Sequence, residues 1–529
     1  MRRLTAQDAE FLHDESRLLG QAESISFPQT EAEVQETMRR MAASQIRVTV
    51  QGARTGIAGA AVPQGGHILN LSRMNKILGL RYEAKENCYL LRVQPGLLLC
   101  YLRQVLESKN FHIADWDEYS REALERFKQG NWAFWPDPTE TSASIGGMVA
   151  CNASGARTFA FGPTRNHVQS LHIVLADGSL LPLRRGQYVA KGREFSLELP
   201  GGRLISGILP SYDMPKVKNS CGYYCHDDMD LLDLFIGDEG SLGIVTEIEL
   251  RIYPLPDAIW AVTAFWPDEM KALAYVKALR GQNPDLPFQP RPIAIEFLNE
   301  ASLRFLGRQK REKAAFSHIQ EIKAHYHTAV YAEFMGESQQ ELRSIIDDLG
   351  DLITAVGGDE ADTWVATNAY DLEKLRLFRH AVPEAVNLLL DDKKKKEPSL
   401  TKLGTDMSVP DQFLEKIMAI YNQGLAASGL QAVIFGHVGN NHLHVGIVPE
   451  NQAEYQRGQE LYSAWAEQVV AMGGSVAAEH GAGKLKTALV QKMFGRQSIE
   501  DMRQLKRLFD PHGSINNGNI FVWEESAHD

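Results

Sequence analysis

The chain is poor in cysteine. Its 529 residues hold only Cys88, Cys100, Cys151, Cys221 and Cys225, too few and too scattered for a disulfide framework. Cys221 and Cys225 stand close, but no second pair follows them. An iron–sulfur or structural zinc site is therefore not expected, and both read as buried small apolar residues. Long apolar runs are missing too. No stretch approaches the roughly 18 residues needed to cross a bilayer. The start, MRRLTAQDAEFLHDE, has no apolar run after its arginines and reads as neither a signal nor a transit peptide. A cytoplasmic protein is expected, with peripheral attachment to the inner face of a membrane left open. A basic excess is also absent. The net charge is -12, which disfavours nucleic acid as a partner. Neither nucleotide motif built on glycine is present. Gly52, Gly56 and Gly59 do not have the spacing of a dinucleotide fingerprint. Gly483-Lys484 is followed by Leu485 and lacks the earlier glycine of a Walker loop.

What is present is an ordinary globular balance, 44% apolar and 23% charged, in a chain too long for one core. Two or three domains are expected. Thr30–Ala43 reads as a helix with Val34, Met38 and Met41 on one face. Arg47–Val50 and His67–Leu71 read as strands on either side of a glycine-rich turn, Gly52–Gly59. A second glycine-rich stretch spans Ile145–Gly162. Val168–Leu183 reads as a strand pair around Asp177-Gly178. A third glycine-rich stretch, Gly237–Gly243, leads into a strand, Ile244–Ile252. The character changes at Pro254-Leu-Pro256, and helical patterns follow. This divides the chain into residues 1–256, 257–476 and a C-terminal segment, 477–529. Asp115–Gly130 reads as a charged helical insert. Asp391–Pro398 reads as a solvated loop. Its Lys393–Lys396 leaves an acidic partner or anionic lipid as the alternative.

A single glycine-rich turn is unremarkable. Small residues also let successive backbone N–H groups converge on phosphate oxygens. Three such loops beside strands suggest a long cofactor lying against backbone.

The residues that make up these loops resemble a family. GARTGIAGAAVPQGG and NLSRMNK, then Pro136-Asp-Pro138, Ile145–Met148, Asn152–Gly155, Phe161-Gly162, Lys218-Asn219, Gly222-Tyr223 and Gly237–Thr246, resemble the vanillyl-alcohol oxidase and p-cresol methylhydroxylase group of FAD-linked oxidases. Within it the chain is similar to the D-2-hydroxyacid dehydrogenase branch, which acts on D-lactate, glycolate or D-2-hydroxyglutarate. The resemblance covers roughly residues 25–522, minus the inserts. It implies an α+β fold, with a two-subdomain FAD-binding domain and an α/β substrate cap built on an antiparallel sheet. The segment 477–529 would return to the FAD domain. By position, Gly52, Ala53, Arg54, Thr55, Gly56 and Gly59 would cradle the diphosphate. Pro138, Ser142, Gly147, Asn152, Gly155, Gly240, Val245 and Asn516 would contact the rest of the cofactor. Some members attach flavin through a His or Cys near the loop. Here that stretch carries Arg54, so FAD is expected to be non-covalent.

A second cluster lies further on. Gln431–His437 and His442–Val448 read as the two strands of a hairpin around Val438–Asn441. His437 would end one strand, with His444 across from it. His442 and His444 share a face, because side chains alternate along a strand. Either pair suits a divalent metal, and either suits hydrogen bonds in a polar hairpin. Glu479-His480-Gly-Ala-Gly483 adds a carboxylate and another imidazole. The resemblance implies that His437, His444 and Glu479 bind a divalent metal (zinc, manganese or iron) and that His480 is the base. It implies that Arg379 and Lys402 hold the substrate, together with His480. The chain departs from the family at Asn440-Asn441-His442, Gly446, Pro383 and Asn516-Asn-Gly-Asn519. His442 as a fourth ligand stays open.

The implied reaction is oxidation of a small D-2-hydroxy acid to the 2-oxo acid, with hydride passing to the flavin and a proton to His480. Electrons would then leave for a quinone, an electron-transferring flavoprotein, a cytochrome or oxygen. Oligomeric state is open, a homodimer included. The alternatives are a flavin-dependent alkyl transferase resembling alkylglycerone-phosphate synthase and a glycolate oxidase-type subunit of a larger complex.

Overall fold

The computed structural model describes residues 1–397, 400–401 and 403–523. Among them, no helix is long and apolar enough to cross a membrane. The first layer is a small sheet in which Ser24–Ser26 and Val48–Gln51 both run parallel to His67–Asn70 between them, with Arg2–Arg3 on the edge. Parallel strands need a crossover, and the helix Glu31–Ala43 supplies one. Thr30 caps it, its hydroxyl accepting from Glu33 N. Val34, Met38 and Met41, spaced four and three apart, bury one face against Val48, Leu69, Val174 and Ile244.

The second sheet is antiparallel and is organised around Ile244–Pro254. That strand pairs with Cys88–Val93 on one side and Val168–Val174 on the other. The Asp177-Gly178 turn joins Val168–Val174 to Leu180–Arg184, as its residues predict. The strand ends at Pro254, and Ala258 opens the next sheet. This third, eight-stranded sheet is antiparallel. Its middle contains Ala258–Trp266, Thr328–Gly336 and Ala294–Leu298, followed by the histidine hairpin Ala432–His437 and His442–Ile447. The helices Glu269–Leu279, Gln339–Val356 and Ala369–Lys394 are among those that cover it.

Two local expectations change. Asp391–Lys394 is not loop but the last turn of the helix Ala369–Lys394. Leu390 is buried there, so the apolar stripe carries the helix into the charged run. The hairpin register also differs: His442, not His444, lies directly opposite His437, and His444 faces Phe435. The turn Val438–Asn440 is tight, and Asn441 takes φ 50° to close it, which brings His442 to the first position of the returning strand. After Glu479 the chain comes back to the first sheet. Val48 N donates to Ser514 O, and Asn516 N donates to Val48 O.

Candidate active site

The three glycine-rich stretches line one cleft of about 1500 Å³, open solvent at its mouth included. Glycine is required where these loops meet. A Cβ on Gly52 would lie 2.2 Å from Ser144 Oγ, and one on Gly146 2.5 Å from Pro95 Cβ. Ser144 caps the short helix Ile145–Cys151 and also accepts from Ala53 N at 3.3 Å. The loop after Ala53 sorts its polar groups. The carbonyls of Ala58, Gly59 and Ala60 face Lys484, which reaches them through its backbone N–H and its ammonium. Burial lowers the Lys484 pKa to about 8. The N–H groups from Arg54 to Gly59 donate to no acceptor among the described residues. Arg54, at φ 60°, turns the chain within this run. An open row of amides between apolar walls fits an anionic diphosphate on an extended cofactor.

The far end of the same cleft is lined by Glu479 and His480. Glu479 is the hub of a buried cluster. His437 Nε2 lies 3.2 Å from Glu479 Oε2, and His444 Nε2 lies 3.4 Å from Oε1. His442 Nδ1 is 3.8 Å from Oε2. One donor atom from each of these four residues lies within 4.8 Å of the other three. Imidazole nitrogens and a carboxylate oxygen at such separations are a donor set for a divalent metal. Lys218 adds positive charge, its ammonium 2.6 Å from Glu479 Oε2. Burial pushes the Glu479 carboxyl up, but Lys218, His437 and His442 outweigh it and hold the group well below the carboxylate range. Burial, helped by His444 and Lys218, drives the His442 imidazole well below its ordinary range against the pull of Glu479 and Asp406.

Two further carboxylates brace the cluster. Glu296, on the strand Ala294–Leu298, accepts from His437 Nδ1 at 2.5 Å. Asp406 accepts from the backbone N–H groups of Glu479 and His480 and from the Lys486 ammonium. His480 stands between the cluster and the cleft. Its ring stacks on His444, with centroids 5.3 Å apart, and its Nε2 is 3.3 Å from Glu479 Oε1. Its side chain is 29% exposed, against 0% for His442 and 12% for His444.

Arg379 is buried rather than solvated. It lies 3.6 Å from Glu296 Oε1, and its Nη2 meets His380 Nε2 at 2.7 Å. Its Nε and Nη1 have no hydrogen-bond partner among the described residues. A buried guanidinium with N–H groups left unbonded suits a carboxylate. Pro383, one helical turn on, has no N–H to offer the Arg379 carbonyl.

Of the residues expected on the cofactor, Gly52, Ala53, Arg54, Thr55, Gly56, Pro138, Gly147, Gly240, Val245 and Asn516 line the cleft. Gly59, Ser142, Asn152 and Gly155 stand off that lining. Gly59 turns the loop at φ 77°. Ser142 is exposed and bonds Glu140, while Ser144 occupies the lining. Asn152 ends its helix at φ 47° and accepts from Arg165 N. Gly155 permits close approach to Asp137 O, 2.1 Å from where a Cβ would sit. Asn516 also ties elements together, accepting from Val50 N and donating to Glu239 O. Lys402 lies outside the described residues. Cys221 and Cys225 are buried, as expected.

Comparison with known proteins bears on both parts of the chain. The FAD binding domain family matches residues 22–121 and 120–184, and the C-terminal domain of the FAD linked oxidases matches 262–520. A D-lactate dehydrogenase of Anaerostipes hadrus is 28% identical over 97% of this chain and 92% of its own length. A D-2-hydroxyglutarate dehydrogenase of Stutzerimonas stutzeri is 25% identical over 94% and 91%. The glycolate oxidase subunit GlcD of Bacillus subtilis is 24% identical over 94% and 89%. A solved alkyldihydroxyacetonephosphate synthase shares the fold, with a TM-score of 0.58 at 17% identity over 93% of this chain and 75% of that one. With an FAD binding domain in its N-terminal part and an oxidase C-terminal domain in the remainder, the chain belongs to the FAD-linked oxidases.

Proposed function

We propose that the protein is an FAD-dependent dehydrogenase that oxidises a small D-2-hydroxy acid, of the size of D-lactate, to the 2-oxo acid. One observation carries this reading: a single cleft joins the open amides of Arg54–Ile57 to His480 and Glu479. The names of the relatives support the substrate class and the D configuration.

Gly52–Gly56, Pro138, Gly147, Gly240 and Val245 would hold FAD non-covalently, and His437, His444 and Glu479 would hold a divalent metal. When bound, FAD supplies the acceptor for two electrons, and the metal supplies positive charge beside the substrate hydroxyl. The chain's own residues do the rest. Arg379 binds the substrate carboxylate through its guanidinium and so fixes the reacting carbon. His480, the most exposed imidazole of the cluster, takes the hydroxyl proton at Nε2. Asp406 positions His480 through its backbone N–H. Glu296 holds His437 and faces Arg379, so one carboxylate aligns both halves of the site. The closing carrier of electrons is a quinone, an electron-transferring flavoprotein or a cytochrome.

The test is the visible spectrum of the purified holoprotein without oxygen, with D-lactate, glycolate, D-2-hydroxyglutarate and the L-acids added separately. Bleaching of the oxidised flavin band by one D-acid is the expected result. A flavin band that survives every acid would turn the assignment towards alkyl transfer.

A further inference from the structure

His442 has no role in the scheme above, yet it is the most deeply buried imidazole of the cluster. Its side chain is 0% exposed, and while Nε2 is met by Asp406, Nδ1 makes no hydrogen bond among the described residues. A fully buried imidazole with its Nδ1 unsatisfied is costly unless something absent from the protein's own atoms meets it. The two nitrogens face different neighbours. Nδ1 lies 3.8 Å from Glu479 Oε2, on the side shared with His437 and His444. Nε2 lies 3.0 Å from Asp406 Oδ1.

The other two imidazoles show the same division. His437 presents Nε2 to Glu479 and its Nδ1 to the Glu296 carboxylate. His444 presents Nε2 to Glu479 and its Nδ1 to the Thr405 carbonyl at 2.9 Å. In each ring one nitrogen faces the common centre and the other faces an oxygen that orients it, the pattern of metal-bound histidine. Donors around one ion with bonds of about 2.0–2.2 Å stand roughly 3–4 Å apart, which matches the spacing of all three rings from Glu479.

Resting on the metal reading above and extending it, we infer that His442 is a fourth protein ligand, through Nδ1, in a site of three histidines and one glutamate. Asp406 is the carboxylate that orients it. The consequence is chemical. Four protein donors close a tetrahedral zinc ion, whereas an ion that takes five or six donors keeps positions open for substrate oxygens. The working ion is thus one that favours higher coordination, of the manganese or iron kind.

Cobalt(II) is the probe. The flavoprotein, its His442→Gln variant and its His437→Gln variant are loaded with Co(II), and X-ray absorption counts the imidazoles on the ion. Chelator competition gives each affinity, and the flavin-to-protein ratio checks that each variant is folded. Three imidazoles in the parent, two in His442→Gln, and an affinity weakened by at least about tenfold are expected. Two imidazoles in the parent would overturn the inference. So would an unchanged affinity in His442→Gln beside a lost one in His437→Gln, and either result would leave the metal reading standing. Unaltered binding in both variants would remove the metal reading itself, and this inference with it.

Discussion

His480 and Arg379 carry the two roles that a single side chain can test. His480 stacks on His444 and borders the cleft, so it is reachable where His442 is not. Its replacement by Asn keeps a planar polar group of similar reach and removes the base. His480→Asn is expected to slow flavin reduction by on the order of 10²–10⁴-fold. The flavin content of the purified protein should stay unchanged. Stopped-flow absorbance without oxygen measures the rate, and near-parental reduction would remove His480 as base. Arg379 is a different case, because its use lies in geometry. Arg379→Lys keeps the charge beside Glu296 but loses the planar fork that meets a carboxylate with two parallel bonds. KM for the hydroxy acid should rise by on the order of tenfold to a hundredfold, with a smaller change in kcat. A KM equal to the parent's would place the substrate carboxylate elsewhere.

At the scale of elements, the two ends of the cleft are joined by a contact only glycine allows. Gly483 sits at φ 50°, and a Cβ there would lie 2.1 Å from Ala58 O. The same segment is held by Glu239, whose carboxylate accepts from Ala482 N and Gly483 N. Gly483→Ala must therefore move either the Ala58–Gly59 turn or the segment that carries Glu479 and His480. FAD affinity and flavin reduction are both expected to fall, measured by flavin released on dilution and by the anaerobic spectrum. Unchanged affinity would show that the loop does not depend on this contact. The glycine loops were legible in the sequence because close approach leaves a compositional mark: three separate stretches carry more glycine than turns need. The histidine hairpin was legible for a similar reason, since its alternation and turn residues are local. Its register was not. Whether His442 or His444 faces His437 depends on how tightly Val438–Asn441 turns, and pattern alone leaves that free. Ser142 and Ser144 present the same difficulty. Both precede the helix Ile145–Cys151, and only the cap geometry places Ser144 in the cleft. Glu296, Asp406 and Lys486 gave no local signal, and Lys218 was marked by the resemblance without a role. They come from separate stretches of sequence, and a lone charge on a strand or loop reads as a solvated one until the fold buries it.

At the scale of the whole molecule, burial of neutral histidine makes stability depend on pH. His67, in the first sheet, is fully buried, with Ser24 Oγ at 2.8 Å from Nδ1 and Ser26 Oγ at 2.7 Å from Nε2. Burial lowers its pKa to about 4. His167, whose Nε2 meets Phe161 O at 3.0 Å, is also lowered to about 4 by burial. In the unfolded chain both return to about 6.5. Between these values the unfolded state binds the extra protons, so stability rises with pH there. The contribution is whole above pH 6.5 and is lost as pH falls towards 4. For one such histidine the loss is about 3 kcal/mol at most. The first sheet carries the strand that leads into Arg54–Gly59, so the same acidification should loosen FAD as it loosens the sheet. Thermal unfolding of the holoprotein, followed by flavin fluorescence, should give a Tm that falls steeply between pH 6.5 and 4.5. His67→Gln, which cannot take up a proton but can still bond both serines, should flatten that slope. A slope identical to the parent's would assign the acid sensitivity to His167 and the carboxylates, and would leave His67 a packing residue alone.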